Sequence, residues 1–306
     1  MIDRRSLLTI AGAGAVGLAA AQVGHAVNSE PPVQPPQDAV GLLYDTTLCV
    51  GCKACVAACS RANNLIPASG QSGGLYQEPV ALDAHTKNII KLYKSSDGRQ
   101  WSFMKQQCMH CVDPACVLAC PLSALEKGEF GIVSWKGETC LGCRCCQIAC
   151  PYNIPKFEWS QLNPRVVKCE MCRQKLARNE APACTAVCPR KAVIFGKRTA
   201  LLTEAKSRIA ANPGRYYQDR VYGEHEGGGT QSLYLSHLPF AMLGLPDLGT
   251  RSIASGVRNV QETIYQHGVT PVVAYSALVV LTGHFWKDLR HHAEDEADWT
   301  GLKEQI

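Results

Sequence analysis

The strongest constraint on this chain is one spacing rule that its cysteines repeat four times. The groups read Cys49-x2-Cys52-x2-Cys55-x3-Cys59, Cys108-x2-Cys111-x4-Cys116-x3-Cys120-Pro121, Cys140-x2-Cys143-x2-Cys146-x3-Cys150-Pro151 and Cys169-x2-Cys172-x11-Cys184-x3-Cys188-Pro189. Sixteen of the seventeen cysteines obey it. Three closely spaced thiolates followed by a fourth after three residues is the bacterial ferredoxin order, in which the last cysteine ligates the other [4Fe-4S] cluster of a pair. The x2 gaps curl the backbone around three corners of a cubane, and the x3 step begins a helical turn that aims the last sulfur away. Proline after that cysteine has no N–H and resists continuing the helix, so it redirects the chain. Group one has Ser60 in that place, which removes no ligand. Four near-copies of one unit predict four [4Fe-4S] clusters on these sixteen residues.

Other uses of cysteine fit less well. A disulfide framework would scatter its cysteines rather than bunch them. Zinc also takes Cys-x2-Cys pairs, but it needs no third cysteine at the next x2 step. A catalytic thiol wants a base beside it, and no group has an evident one. Cys145 is the odd residue: only its neighbour Cys146 keeps the register, so Cys145 is expected to be a packed free thiol, with replacement of Cys146 as ligand the alternative. Lys53, Arg144, Lys168 and Arg173 lie between or next to ligand positions, where positive charge raises a cluster's potential. The plainer reading of each is a solvated side chain.

The remaining chain of this 306-residue protein, with 46% hydrophobic and 19% charged residues, is long and apolar enough to build a sizeable core. Its net charge of +5 is spread out, without basic runs and interleaved aromatics, so no nucleic-acid partner is expected. Arg4-Arg5 precede an apolar stretch from Ile10 to Ala21 and a small-x-small site at Gly24-His25-Ala26. That pattern predicts a twin-arginine signal peptide over 1–26, followed by a Pro-rich linker over 27–40. Export of an already folded chain would let clusters be built in the reducing cytoplasm.

At the other end, Val269 to Trp286 is eighteen residues without a charge, close to what a bilayer core of about 30 Å requires at about 1.5 Å per residue. A transmembrane helix is expected over 268–286, with Phe285 and Trp286 at the interface, Lys287 and Arg290 as anchors, and a cytoplasmic tail over 287–306. A buried core helix is the alternative. His267 and His284 lie at opposite ends of that segment and cannot grip one haem iron. Between the cysteine groups, the insert 60–107 carries a strand-like run from Asn88 to Tyr93 and should pack as a hairpin. Residues 199–267 read as a cap and connector, with helical spacing from Ala200 to Ala210, a turn at Gly227-Gly228-Gly229 and a strand-like run from Ser232 to Leu238.

The cysteine groups resemble those of the four-cluster beta subunits of molybdopterin oxidoreductase complexes, such as formate dehydrogenase and dimethyl sulfoxide reductase, over roughly Gly41 to Gly196. Within that family the chain is similar to the iron-sulfur subunits of hydrogenase-2 type complexes. The matching stretches run from Leu43 to Cys52, from Lys105 to Pro114 and, outside the cysteine region, from Glu226 to Gln231. The resemblance implies that group one pairs with four and group two with three. Cys49, Cys52, Cys55 and Cys188 would hold a first cluster; Cys108, Cys111, Cys116 and Cys150 a second. Cys140, Cys143, Cys146 and Cys120 would hold a third, and Cys169, Cys172, Cys184 and Cys59 a fourth. It also implies an α+β fold of two nested ferredoxin-like domains over 41–198, the outer from groups 49–59 and 169–188 and the inner from 108–150, plus the C-terminal transmembrane helix. The function implied is non-catalytic electron transfer on the periplasmic side of the cytoplasmic membrane, from the small and large subunits of a NiFe hydrogenase to an integral membrane quinone-interacting subunit. The same role in a formate dehydrogenase or in a polysulfide, thiosulfate, nitrite or dimethyl sulfoxide reductase is the alternative.

Overall fold

A computed structural model describes residues 33–65, 81–160 and 164–263, together with positions 275, 276, 278–280 and 282. The expected signal peptide and most of the expected membrane segment 268–286 lie outside them. Among the described residues no helix is long and apolar enough to cross a membrane.

The chain forms nine strands: β1 (Val40–Asp45), β2 (Asn88–Lys94), β3 (Trp101–Gln107), β4 (Leu125–Lys127), β5 (Val133–Trp135), β6 (Lys156–Glu158), β7 (Arg165–Val167), β8 (Val193–Lys197) and β9 (Ser232–Leu235) among the described residues. The sequence of β1, VGLLYD, is nearly continuously apolar, as a strand covered on both faces must be. It sits in the middle of a three-stranded sheet ordered β8-β1-β9. It pairs antiparallel with β8, Leu42 opposite Phe195, and parallel with β9, Leu43 opposite Leu233. Because side chains alternate across a strand, Leu42 and Tyr44 enter a core that contains Cys55, Cys108, Cys169 and Cys184. Leu43 enters another with Leu201, Ala205 and Leu235, under the helix Arg198–Ala211.

The insert contains the antiparallel pair β2-β3, in register from Asn88 opposite Gln107 to Lys94 opposite Trp101. Two shorter antiparallel pairs, β4-β5 and β6-β7, lie in the middle of the sequence. They carry a third core of Leu125, Val133, Phe157 and Val166 around Cys146. Cys116, Cys140 and Cys146 of groups two and three pack with these hairpins, while the main-sheet core takes cysteines of all four groups.

Proline sets helix length at the cysteine groups. Where Cys-Pro follows, the helices are single turns, Ala115–Leu118, Cys145–Ile148 and Ala183–Ala186. Group one has Ser60 instead, and its helix runs through the cysteine from Ala54 to Ala62. With no missing N–H and no ring to meet the preceding turn, nothing stops it there.

Residues after 198 are built into the same core. β9 hydrogen-bonds to β1, and the fully buried Asp45 carboxylate ties the helix Arg198–Ala211 to β1 by accepting from Arg208 at 3.3 Å and from the Tyr216 hydroxyl at 3.0 Å. The Glu226–Gln231 stretch lies on the loop of group two: the Val112 N–H donates to the Gly229 carbonyl at 2.9 Å, and the Gln231 N–H to the carbonyls of Met109 and His110, each at 3.1 Å. Gly227, Gly228 and Gly229 all take positive φ, which only glycine adopts without steric cost.

Candidate iron-sulfur sites

Each cysteine group is shaped by the same local turn. The second residue of the first x2 gap has left-handed backbone in all four: Gly51 (φ 69°), His110 (48°), Gly142 (70°) and Met171 (48°). Glycine is also the residue that fits at the first and third of these. A Cβ at Gly142 would stand 2.6 Å from the Pro164 ring, and one at Gly51 would run into the Phe103 ring. The curl turns backbone N–H groups toward sulfur: Gly51 donates to Cys49 Sγ and Met171 to Cys169 Sγ, both at 3.4 Å. A second turn follows each Cys-Pro, with positive φ at Ser123, Asn153 and Lys191. It lets Ala124 donate to Cys120 Sγ and Ala192 to Cys188 Sγ, both at 3.2 Å. In group one, where the helix continues, the Asn63 side chain donates to Cys59 Sγ at 3.5 Å instead. Such bonds orient ligands and are one of the means by which a protein sets cluster potentials.

The fold gathers the sixteen cysteines into four quartets. Cys49, Cys52, Cys55 and Cys188 line one cavity with Tyr44, Ile90 and Val193. Cys120, Cys140, Cys143 and Cys146 line another with Leu125, Phe157 and Val166. Burial, reinforced by Cys169, Cys184 and Cys172, pushes the Cys59 thiol up to about 12. Burial, reinforced by Cys150, Cys108 and Cys116, pushes Cys111 up likewise. In every quartet the fourth cysteine comes from the other group of a pair, one with four and two with three.

The quartets also lie in a definite order. Burial pushes Cys184 up to about 12, with Lys105 opposing and Cys169, Cys55 and Cys172 reinforcing, so the quartets of Cys184 and Cys55 are neighbours. Cys108, raised by burial to about 11 against Lys168, lies near Cys169. Cys116, raised by burial to about 12, lies near Cys108 and Cys150 and next to Cys146 of the following quartet. Proximity thus runs from the cysteines 49/52/55/188 to 169/172/184/59, then to 108/111/116/150 and to 140/143/146/120.

These donors fit [4Fe-4S] clusters. Sulfur is the donor in every quartet, the walls are apolar, and backbone N–H groups point at the ligand atoms. Among the described residues no three His, Cys, Asp or Glu side chains are placed to hold a single metal ion. Thiols held high by burial keep their protons near neutral pH, so loading must release those protons to the thiolate form that binds iron.

Cys145 stands at the start of the helix Cys145–Ile148, half-exposed rather than packed, and does not line the neighbouring cavity. A hydrogen bond with Cys143, then partial burial, raises its pKa. Cys145→Ser is expected to leave iron content unchanged, by iron and acid-labile sulfide assay; loss of about four irons would instead make it a ligand. Of the four cations flagged by sequence position, Lys168 is buried, donates to the carbonyls of Val133 and Cys169, and acts on Cys108, Cys116 and Cys150. Lys53 is buried in a left-handed turn. Arg144 stacks on Trp159 at 4.2 Å, and Arg173 is half-exposed beside Glu170 at 3.9 Å. Sequence position did not flag Lys105, fully buried on β3, or His110, whose Nδ1 accepts from the Val133 N–H at 3.1 Å. Neither carries a spacing signal.

Comparison with known proteins agrees with this chemistry. Residues 48–124 and 99–198 each match a 4Fe-4S dicluster domain. Two such domains give four [4Fe-4S] clusters. The chain is 37% identical to the Hydrogenase-2 operon protein HybA of Escherichia coli O157:H7, over 96% of this chain and 99% of that protein. It is 36% identical to the Formate dehydrogenase-O iron-sulfur subunit of Escherichia coli (strain K12), over 69% of this chain and 72% of that one. It is 36% identical to the nitrate-inducible formate dehydrogenase iron-sulfur subunit of the same strain, over 65% and 68%. Near full-length similarity to HybA, on a chain whose sixteen patterned cysteines gather into four quartets, places the protein in the family of 4Fe-4S electron-transfer subunits to which HybA and the formate dehydrogenase iron-sulfur subunits belong.

Proposed function

We propose that the protein relays electrons from an exported NiFe hydrogenase to a quinone-reducing partner in the cytoplasmic membrane, with each quartet of cysteines holding one cluster. The observation that carries this reading is the single-file order of the four quartets, which suits one path with two ends. Each bound cluster accepts and releases one electron. The chain's own work is to fix the sites in order, exclude water with Tyr44, Ile90, Val193, Leu125, Phe157 and Val166, and direct N–H groups at the sulfurs. In the same proposal residues 1–26 direct folded export, 27–40 are a linker, and 41–198 hold the nested cluster domains with the insert 60–107. Residues 199–267 complete the core as connector, 268–286 form a single-pass membrane helix, and 287–306 remain in the cytoplasm.

The test is purification from native membranes. Co-purification with NiFe hydrogenase subunits and about sixteen irons per chain is the expected result; about four irons, or zinc without acid-labile sulfide, would overturn it. The formate dehydrogenase similarity favours a second reading, the same relay in another exported oxidoreductase. A molybdopterin subunit in place of the hydrogenase would decide for it.

A further inference from the structure

Among the described residues, Lys105 forms no ion pair with a carboxylate: its ammonium is bonded to a neutral amide. Lys105 lies on β3 opposite Ile90, which lines the cavity of Cys49, Cys52, Cys55 and Cys188. The side chain is 0% exposed, and its ammonium donates to the neutral Gln107 Oε1. Its backbone is held as well, the Lys105 carbonyl accepting from the buried Tyr234 hydroxyl at 3.1 Å. The negative groups acting on it most strongly are Cys184, Cys55, Cys169 and Cys59. Cys55 belongs to the first quartet and the other three to its neighbour. Cys55 and Cys59 are four apart on the helix Ala54–Ala62, hence on one face, so that face spans the gap between the two quartets.

We propose that Lys105 is the shared counter-charge of these two sites, raising the reduction potential of both clusters and easing the repulsion when both are reduced. Burying an ammonium without an opposite charge is very costly, and the thiolates that ligate the two bound clusters would supply that charge. A fixed positive charge at close range stabilises the more negative, reduced state of each cluster. With one cation between two sites, removal should lower two potentials together, whereas a cation beside one site would move one.

The inference rests on the ligand assignment above, and wild-type iron content tests that assignment separately. The experiment compares Lys105→Met, Lys105→Gln and Lys105→Arg in the purified complex, by iron assay and by EPR-monitored redox titration. Two of the four midpoints should fall in the neutral variants by at least about 59 mV, a tenfold shift in the one-electron ratio; the arginine variant should stay near wild type. Unchanged midpoints in a fully loaded Lys105→Met protein would overturn the proposal, as would an arginine variant that shifts as far as methionine does. Should both neutral variants lose about eight irons while arginine keeps them, the counter-charge role stands; loss from all three would assign Lys105 to packing and overturn it.

Discussion

Cys184→Ala is expected to remove about four irons from the protein and to stop electron flow through the complex while leaving the other three centres visible by EPR. Cys184 is buried and lies among Cys169, Cys172 and Cys55, in the second of four sites in file. Alanine keeps the helix Ala183–Ala186 intact, so the loss is that of a ligand and not of an element. In the proposed relay this site is interior, so electrons passing between the sites of Cys49 and Cys108 would cross it. The measurements are iron per chain and dye-to-quinone turnover. A [3Fe-4S] remnant lacking about one iron would still assign Cys184 as a ligand; full iron content with four unchanged [4Fe-4S] signals would show that it is not one.

Gln231→Leu is expected to cost roughly 3 kcal/mol of stability, and more in a protein stripped of clusters, because the new side chain strands several polar partners at once. The Gln231 amide donates to the carbonyls of Val40 and Phe130, and its oxygen accepts from Lys127 at 3.3 Å. Lys127 in turn donates to the Cys111 carbonyl at 2.7 Å, so the damage reaches the loop of the third site. Gln231 is wholly buried, and water cannot replace the lost bonds. Burial already lowers the pKa of Lys127 to about 8. Its charged form is therefore disfavoured by folding, and loss of an acceptor makes that worse. Thermal unfolding of the loaded protein checks the prediction; a midpoint within about 2 °C of wild type would show that the Gln231 contacts contribute little.

Much of the local structure was legible before the fold. The x2 gaps required a tight curl, and Gly51, His110, Gly142 and Met171 supply it with left-handed backbone. Proline at 121, 151 and 189 implies a redirected chain, and the helices there are single turns, because a missing N–H acts within one turn; the longer helix at Ser60 emerges only in the structure. The Asn88 to Tyr93 run read as a strand and forms β2. Less legible was the segment after residue 198. The run from Ser232 to Leu238 reads as a strand and Ser232 to Leu235 form β9, but only the fold shows that they are buried as the partner of β1. Such a run can only be placed once its partner strand is known.

Lys105 shows the limit most clearly. Position beside a ligand in the chain singles out Lys168; Lys105 is three residues from Cys108, yet it acts on Cys184, Cys55, Cys169 and Cys59. Sequence by itself determined which sixteen cysteines are grouped and how each loop turns, since those depend on a few covalent bonds and the φ preferences of the residues between them. Only the tertiary structure shows which cysteines of distant groups line one cavity, as Cys188 does with Cys49, Cys52 and Cys55 and Cys120 with Cys140, Cys143 and Cys146. The first of those relations spans more than a hundred residues of chain, from Cys49 to Cys188, and arises when β1, β8 and β9 close a common core whose packing no local spacing records.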